Sequence, residues 1–149
     1  MPEINLSQTE ADAFIVMPKV PSDSKSYDYP GLGGSIKVDL ASRDNREKFI
    51  LDVNRYRIKL QRCTYQNRVH QVVILLRLDL EGPPHRNPDD EWIGPNHLHT
   101  YREGYGDKWA KPIPSDKFTD TADLWKTLEE FMVYCNIVER PDIRRGLFT

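Results

Sequence analysis

Residues 69–80 read VHQVVILLRLDL, the most continuous apolar stretch of the chain. Its longest unbroken apolar run, 72–76, is far shorter than the roughly 20 residues of a membrane-spanning helix. A short segment that is apolar at nearly every position is typical of a strand buried on both faces. We therefore predict that residues 69–80 form the central strand of a sheet.

Segments on both sides of this strand also have strand patterns. The clearest is the alternation of Ile36, Val38 and Leu40 with Lys37 and Asp39, which predicts a half-buried strand. A polar turn at Gln66-Asn67 ends the run that precedes the central strand. The predicted strands are 36–40, 49–53, 58–62, 69–80 and 96–101.

Helical patterns lie at the two ends of the chain. Ser7-Gln8-Thr9-Glu10 reads as a capping box, and Pro18 ends the helix that it opens. A second helix follows a cap at Asp120 or Thr121, with an apolar face from 124 to 135. Helix, strands, helix in this order predict one α+β domain spanning 1–149: an antiparallel meander of about five strands with both helices on one face.

The composition limits the classes of function. The chain has 149 residues, with 21 basic against 23 acidic side chains and a net charge of −2, which argues against a general nucleic-acid coat or a polybasic membrane binder. The first residues lack the apolar centre of a signal peptide, so we expect a cytoplasmic protein without membrane contact. Cys63 and Cys135 have no metal-ligand spacing and are predicted to be buried free thiols.

Residues 78–112 contain three of the four histidines: His85, His97 and His99. If 96–101 is a strand, His97 and His99 point to the same face. Histidine suits both proton roles in the cleavage of a phosphodiester, because its pKa lies near neutrality. The segment therefore predicts a metal-independent ribonuclease or nucleotide phosphodiesterase without a cofactor.

Each candidate site residue has an expected role. His97 and His99 would be the proton-transfer pair, with His85 or Glu103 as a third proton carrier or orienting group. Lys108, Arg102 and Arg86 would bind the phosphate, and Tyr101 and Trp109 would stack on a base of RNA or a nucleotide. Strand parity places Tyr101 beside the two histidines and Arg102 on the opposite face.

Three other interpretations stay open. His97 and His99 with a carboxylate of Asp79, Glu81 or Glu103 would make the metal site of a metal-dependent hydrolase. A non-enzymatic binding or inhibitor protein of phage or mobile-element conflict would instead dock its tail, Arg144, Arg145, Leu147 and Phe148, on a protein partner or on a second copy as a homodimer. The histidines would be structural if they only bridge loops by hydrogen bonds.

The chain also resembles a family of small uncharacterised bacterial proteins. The resemblance lies in a Gln-x-Glu-Ala-Asp helix ending Met-Pro-Lys, a strand ending Arg-x-Asp, a Gly-x-His-x-Asn-Pro turn, a His-x-His-x-Tyr-x-Glu-Gly-Tyr strand and a Trp-Ala-x-Pro segment. An additional proline at 83–84 departs from the turn, and the loop from 88 to 97 is short. This family implies no activity. A looser similarity to ribonuclease toxins of toxin–antitoxin pairs implies an RNA substrate and an antitoxin-like partner. The matching positions are Gln8, Glu10, Ala11, Asp12, Met17, Pro18, Lys19, Arg77, Asp79, Gly82, His85, Asn87, Pro88, His97, His99, Tyr101, Glu103, Gly104, Tyr105, Trp109, Ala110 and Pro112.

Overall fold

Two helices and eleven strands make up the computed structural model, which describes residues 5–146. In chain order they are α1 (Gln8–Val16), β1 (Lys19–Pro21), β2 (Ser26–Asp28), β3 (Ser35–Ser42), β4 (Lys48–Arg55), β5 (Cys63–Val69), β6 (Val73–Leu80), β7 (His85–Arg86), β8 (Trp92–Ile93), β9 (His97–Thr100), β10 (Ala110–Pro112), α2 (Leu124–Tyr134) and β11 (Asp142–Arg144). None of the helices in this part of the chain is both long and apolar enough to cross a membrane.

The main sheet is antiparallel throughout and has seven strands in the order β1-β3-β4-β5-β6-β9-β10. The predicted α+β class and the antiparallel sheet are confirmed, and β3 to β6 form a meander of consecutive neighbours. The predicted number of about five strands is wrong, because β1 and β10 add a short strand at each edge. Two small two-stranded sheets, β2 with β11 and β7 with β8, lie outside the main sheet.

The strand predicted at 58–62 is wrong. Residues 56–62 form an irregular loop in which Ile58 is 95% exposed, and the strand begins afterwards, at Cys63. The predicted turn at Gln66-Asn67 lies within this strand, where Asn67 is buried and its amide donates to a carbonyl of β4. The chain reverses instead at His70 and Gln71, which both have positive φ.

The helix ends are set by side-chain caps. The Ser7 hydroxyl accepts from the backbone of Glu10, and the Glu10 carboxylate accepts from the backbone of Ser7, so the predicted capping box is confirmed. The cap of α2 is Asp123, which lies later than the predicted Asp120 or Thr121. It accepts from the third residue of the helix and satisfies one of the free N–H groups there.

One face of the main sheet contacts the helices and forms the core. Phe14 of α1 packs edge-on against Phe49 of β4, and Phe131 of α2 packs against Tyr65 of β5, each pair with ring centroids 6.1 Å apart. Val53 lies opposite Tyr65 in the ladder. Because side chains alternate along a strand, Phe49, Leu51, Val53 and Tyr65 share this face, and the residues that alternate with them point to the other one.

Candidate functional site

Two rows of polar side chains cross the other face of the sheet, from β4 to β9. They lie side by side because the strands pair in register and every second residue of each strand is polar here. One row consists of Asp52, Gln66, Arg77 and His99, and the other of Asn54, Thr64, Asp79 and His97. The candidate site is the β6–β9 end of these rows.

The three histidines converge at this end. The ring centroids of His97 and His99 are 4.8 Å apart, and the His85 ring lies 4.6 Å from His99 and 5.7 Å from His97. His97 and His99 are only 2% and 1% exposed, whereas His85 is half-buried. Two of the grouped imidazoles are therefore enclosed by protein, and the third is accessible.

The carboxylate of Asp79 lies between the two buried histidines. Its Oδ2 is 3.1 Å from Nε2 of His97 and 3.2 Å from Nε2 of His99. Its Oδ1 accepts a hydrogen bond of 3.0 Å from the hydroxyl of Thr64, the neighbour of Asp79 on β5. Asp79 is therefore oriented from one side and directs its other oxygen at both histidines.

Backbone carbonyls fix the tautomer of both buried histidines. Nδ1 of His97 is 2.7 Å from the carbonyl oxygen of Gly94, and Nδ1 of His99 is 2.7 Å from that of Asp107. A carbonyl only accepts, so both Nδ1 atoms carry the proton. In the neutral imidazoles the two Nε2 atoms then direct lone pairs at the Asp79 carboxylate, and only an added proton or another cation makes these contacts attractive.

Arg77 adds a further constraint. Its Nη2 is 3.1 Å from Nε2 of His99, its Nη1 donates to Asp107 over 2.9 Å, and its Nε lies 3.3 Å from Oδ2 of Asp79. A guanidinium only donates, so Nε2 of His99 must accept from Arg77 and cannot also donate to Asp79. Arg77 with the carboxylates of Asp79 and Asp107 gives a net charge of −1, so the cluster has room for one more cation.

The ionisation of the cluster follows from burial and from its charges. Burial alone would raise the pKa of Asp79, but hydrogen bonding to His97 and the charge of Arg77 outweigh it and hold this pKa well below its usual range. Burial would lower the pKa of His97, yet the hydrogen bonds to Asp79 and to Gly94 raise it overall. At neutral pH Asp79 is therefore a carboxylate, and His97 has an increased affinity for a proton.

The same three atoms have the spacing of metal ligands. One ligand atom from each of His97, His99 and Asp79 can be chosen so that all three lie within 4.8 Å of one another, and both Nε2 atoms lie within 3.2 Å of Oδ2 of Asp79. Four ligands about 2.1 Å from a zinc ion in a tetrahedron are about 3.4 Å apart, near the 3.1 and 3.2 Å found here. The carbonyl partners of Nδ1 and the Thr64 bond to Asp79 are the outer contacts that orient metal ligands in proteins.

His85 is held over the cluster by its loop. Its Nε2 donates to the backbone carbonyl of Lys108 over 2.7 Å, so its Nδ1 is the nitrogen that can accept a proton. Two residues later, the buried Asn87 makes a pair of hydrogen bonds with the backbone of Ala110, of 2.8 and 2.9 Å. The Asn87 side chain is thus bonded to the first residue of β10, and this pair anchors the loop that carries His85.

An open cavity of about 280 Å³ lies beside the cluster, over β4, β5 and β6. Arg77 and Asp79 are the cluster residues that line it, and none of the three histidines does. Its remaining lining residues are Asn54, Tyr56, Arg62, Cys63, Thr64, Gln66, Leu80, Gly82 and Pro83.

Tyr101 and Glu103 lie apart from the histidines. The strand ends at Thr100, and the buried Tyr101 directs its hydroxyl to the backbone of Leu6, with two contacts of 2.8 Å. Glu103 accepts from the backbone of Gln8 over 2.7 Å. The parity that would place Tyr101 beside the histidines ends where the strand ends, and both residues hold the N-terminal segment.

The other residues predicted to bind the substrate make their contacts in separate places. Arg102 lies over the ring of Trp109, 3.9 Å from its centroid, and Arg86 pairs with the aspartate four residues later at an exposed turn. Lys108 contacts the cluster through its backbone carbonyl, which accepts from His85. Of the tail expected to dock on a partner, Leu147 and Phe148 lie outside the described residues.

Five contributors to the site are not among the residues predicted for the ribonuclease site. Arg77 and Asp79 stand two residues apart in the otherwise apolar 75–80, a spacing that puts two charges on one face of a buried strand. This pattern is a signal for a polar site, although only Asp79 was considered as a ligand. Thr64, Arg62 and Asp107 give no such signal, because their places depend on strand register and on loops.

The fold and the cluster together define an α+β protein with a histidine–aspartate group on the polar face of an antiparallel sheet. The chain belongs to DUF6978, a family of unknown function whose model matches residues 6–137. The predicted membership of an uncharacterised family is thereby confirmed. Neither the curated proteins nor the solved structures include a match to this chain.

Proposed function

We propose that this protein is a hydrolase that binds one divalent transition-metal ion through His97, His99 and Asp79. The observation that carries the proposal is the convergence of three lone-pair atoms whose opposite sides are already hydrogen-bonded to Gly94, Asp107 and Thr64. An added cation makes all three inward contacts attractive at once. Protons on both histidines would instead set two positive rings 4.8 Å apart beside the guanidinium of Arg77.

The metal-independent mechanism predicted from the sequence requires His97 and His99 to exchange protons with a substrate. A proton carrier needs hydrogen-bond reach, directly or through one water. These two side chains are 2% and 1% exposed, and all four of their ring nitrogens have protein partners within 3.2 Å. We therefore infer that His97 and His99 are ligands and that the accessible His85 is the proton carrier.

Two histidines and one carboxylate are a donor set that leaves a coordination position for water and lowers the pKa of that water toward 7. The same set occurs in non-haem iron oxygenases. A hydrolase is favoured here because His85 has a basic nitrogen available beside the cluster, and Arg77 lies where it can stabilise negative charge on a reacting group. Binding of the ion requires the Nη2 group of Arg77 to release His99, while its bond to Asp107 can remain.

RNA or a nucleotide phosphate stays our proposed substrate, since a metal-activated water with a neighbouring guanidinium suits the hydrolysis of phosphate esters. A toxin-like role with an antitoxin-like partner remains a prediction from the sequence. The non-enzymatic interpretation makes the opposite prediction for the experiment below, because a binding protein of this fold needs neither a metal nor turnover.

Calorimetric titration of chelator-treated protein with Zn²⁺ and with Mn²⁺ tests the proposal. We expect one ion per chain, and a loss of affinity of about 100-fold or more in His97→Asn and in His99→Asn, because loss of an outer contact alone typically costs 10–100-fold. His70→Asn is the matched control: His70 is the histidine outside the cluster, and asparagine tolerates its positive φ.

Turnover is measured on bis(p-nitrophenyl) phosphate with the preferred ion. We expect chelator to abolish hydrolysis, and His85→Gln to lower kcat by 10²–10⁴-fold while the ion stays bound. A wild-type protein that binds neither ion, or ligand variants that bind as tightly as His70→Asn, would overturn the metal centre. Tight binding without turnover would overturn the hydrolase.

A further inference from the structure

The cavity beside the cluster contains two arginine side chains with unsatisfied donors. Nε of Arg62 and Nε of Arg77 are both buried, and neither has a hydrogen-bond acceptor within the described residues. Arg77 Nε is near the charge of Asp79, but at 3.3 Å its direction does not make a hydrogen bond. A buried donor without a partner is destabilising, so both groups are poised for an acceptor.

Arg62 is held in place without being neutralised. Its guanidinium lies over the ring of Tyr56, 4.1 Å from the centroid, at the end of the 56–62 loop. Gly82 is also close, since a Cβ atom there would be 3.7 Å from Nε of Arg62, an ordinary van der Waals contact. Across residues 5–146, no carboxylate lies within ion-pair distance of Arg62.

The charge of the cavity favours an anion. Arg77 is paired with Asp79 and Asp107, so Arg62 is the charge of its lining that no carboxylate of the described residues balances. Two amide side chains, Asn54 and Gln66, add neutral donors on the floor formed by the sheet. The volume of about 280 Å³ is at the small end for ligand sites, which suits a compact group rather than an extended surface.

We propose that this cavity binds the phosphoryl group of the substrate between Arg62 and Arg77, next to the metal ligand Asp79. One guanidinium saturates the two coplanar oxygens of a carboxylate, whereas two guanidinium groups from a loop and a strand match the tetrahedral oxygens of a phosphate. This inference rests on the proposed hydrolase, because it specifies the class of substrate on which the hydrolase acts. It places the ester phosphorus beside the metal centre and gives Arg62 the role of a binding residue.

Binding of inorganic phosphate to the protein, measured by calorimetry in excess chelator, tests the anion site without the metal. We expect Arg62→Gln to weaken phosphate binding by 10-fold or more, the loss typical of a charged hydrogen-bond donor. Lys59→Gln is the matched control: it removes one positive charge from the same loop, but Lys59 does not line the cavity. Acetate at the same concentrations is the carboxylate comparison, and we expect it to bind more weakly.

The two proposals fail separately. His97→Asn should lose the metal and keep its affinity for phosphate, whereas Arg62→Gln should lose phosphate and keep its affinity for Zn²⁺. No phosphate binding by the wild type, equal binding by Arg62→Gln and Lys59→Gln, or acetate binding as tight as phosphate would overturn the phosphoryl site and leave the metal centre standing. Circular dichroism of Arg62→Gln confirms that the loop variant is folded before its affinity is interpreted.

Discussion

Replacing Asp79 by asparagine isolates the charge at the centre of the cluster. Asparagine has the same shape and can still accept from Thr64, but it removes the negative charge between His97 and Arg77. The Asp79 side chain is 18% exposed, so its contacts are only partly screened by solvent. We expect the substitution to lower the free energy of unfolding of the metal-free protein by about 2–4 kcal/mol, the range for losing charged contacts at a largely buried site.

The pH dependence gives this prediction a distinctive form. The pKa of Asp79 is lowered in the folded protein, so its contribution is present above the unfolded pKa near 4 and is lost as the pH falls. The pKa of His97 is raised, so its contribution is complete below about 6.5 and is lost as the pH rises through the folded value. The cost of Asp79→Asn should therefore be largest between about pH 4 and 6.5 and decline on both sides.

Urea unfolding in excess chelator, followed by tryptophan fluorescence from pH 3.5 to 9, measures this cost. Asp52→Asn is the comparison, because Asp52 is a carboxylate of the same sheet face that pairs with Arg68 and Gln66 and has no histidine partner. Its cost should not decline as the pH rises past 6.5. A cost of Asp79→Asn that is independent of pH, or a variant as stable as the wild type, would refute the assigned charges.

Three further predictions concern single contacts. Thr64→Val removes the hydroxyl that orients Asp79, so Zn²⁺ affinity should fall by about 10–100-fold in the same titration. Affinity equal to that of the wild type would show that this contact does not orient a ligand. Burial lowers the pKa of Lys19 to about 8, so the unfolded chain binds the proton more tightly. The free energy of unfolding of the wild type should therefore rise relative to Lys19→Met by about 3 kcal/mol between pH 8 and 10.5. A difference between the two proteins that stays constant in urea unfolding over this pH range would contradict the prediction. Tyr101→Phe removes two hydrogen bonds to Leu6 and should cost about 1–2 kcal/mol in thermal unfolding, with faster amide exchange at Leu6. Unchanged exchange there would contradict the role of Tyr101 in holding the N-terminal segment.

Local signals in the sequence predicted those parts of the fold that depend on local interactions. The capping box at Ser7, the alternation at 36–40 and the apolar stretch around β6 are determined by neighbours a few residues away. The strand Cys63–Val69 was missed because its polar residues Gln66 and Asn67 resemble a turn. These side chains bond to Asp52 and to a carbonyl of β4 in the adjacent strand, which no local pattern reveals.

For the site, too, local patterns were predictive, whereas contacts between strands could not be read from the sequence. His-x-His on a strand was enough to predict that His97 and His99 share a face, and the structure also brings His85 to them. Strand parity predicts Tyr101 beside them, and Glu103 is close in the sequence, but both lie where the chain has left the strand. Partners such as Thr64 are brought to the cluster by pairing between strands, and single-sequence periodicity does not give that register.

The attachment of α1 determines when this fold can be completed. Leu6 and Gln8 bond to residues 93–95 positions later in the chain, and the amine of Lys19 donates to the carbonyl of Cys135, 116 positions later. A helix of nine residues is too short to be stable alone in water. During synthesis α1 therefore leaves the ribosome before Tyr101, Glu103 and Cys135 exist, and its attachment can be completed only after they have been made. The segment around α1 is therefore translated earlier than the residues that hold it, and it becomes fully ordered after them.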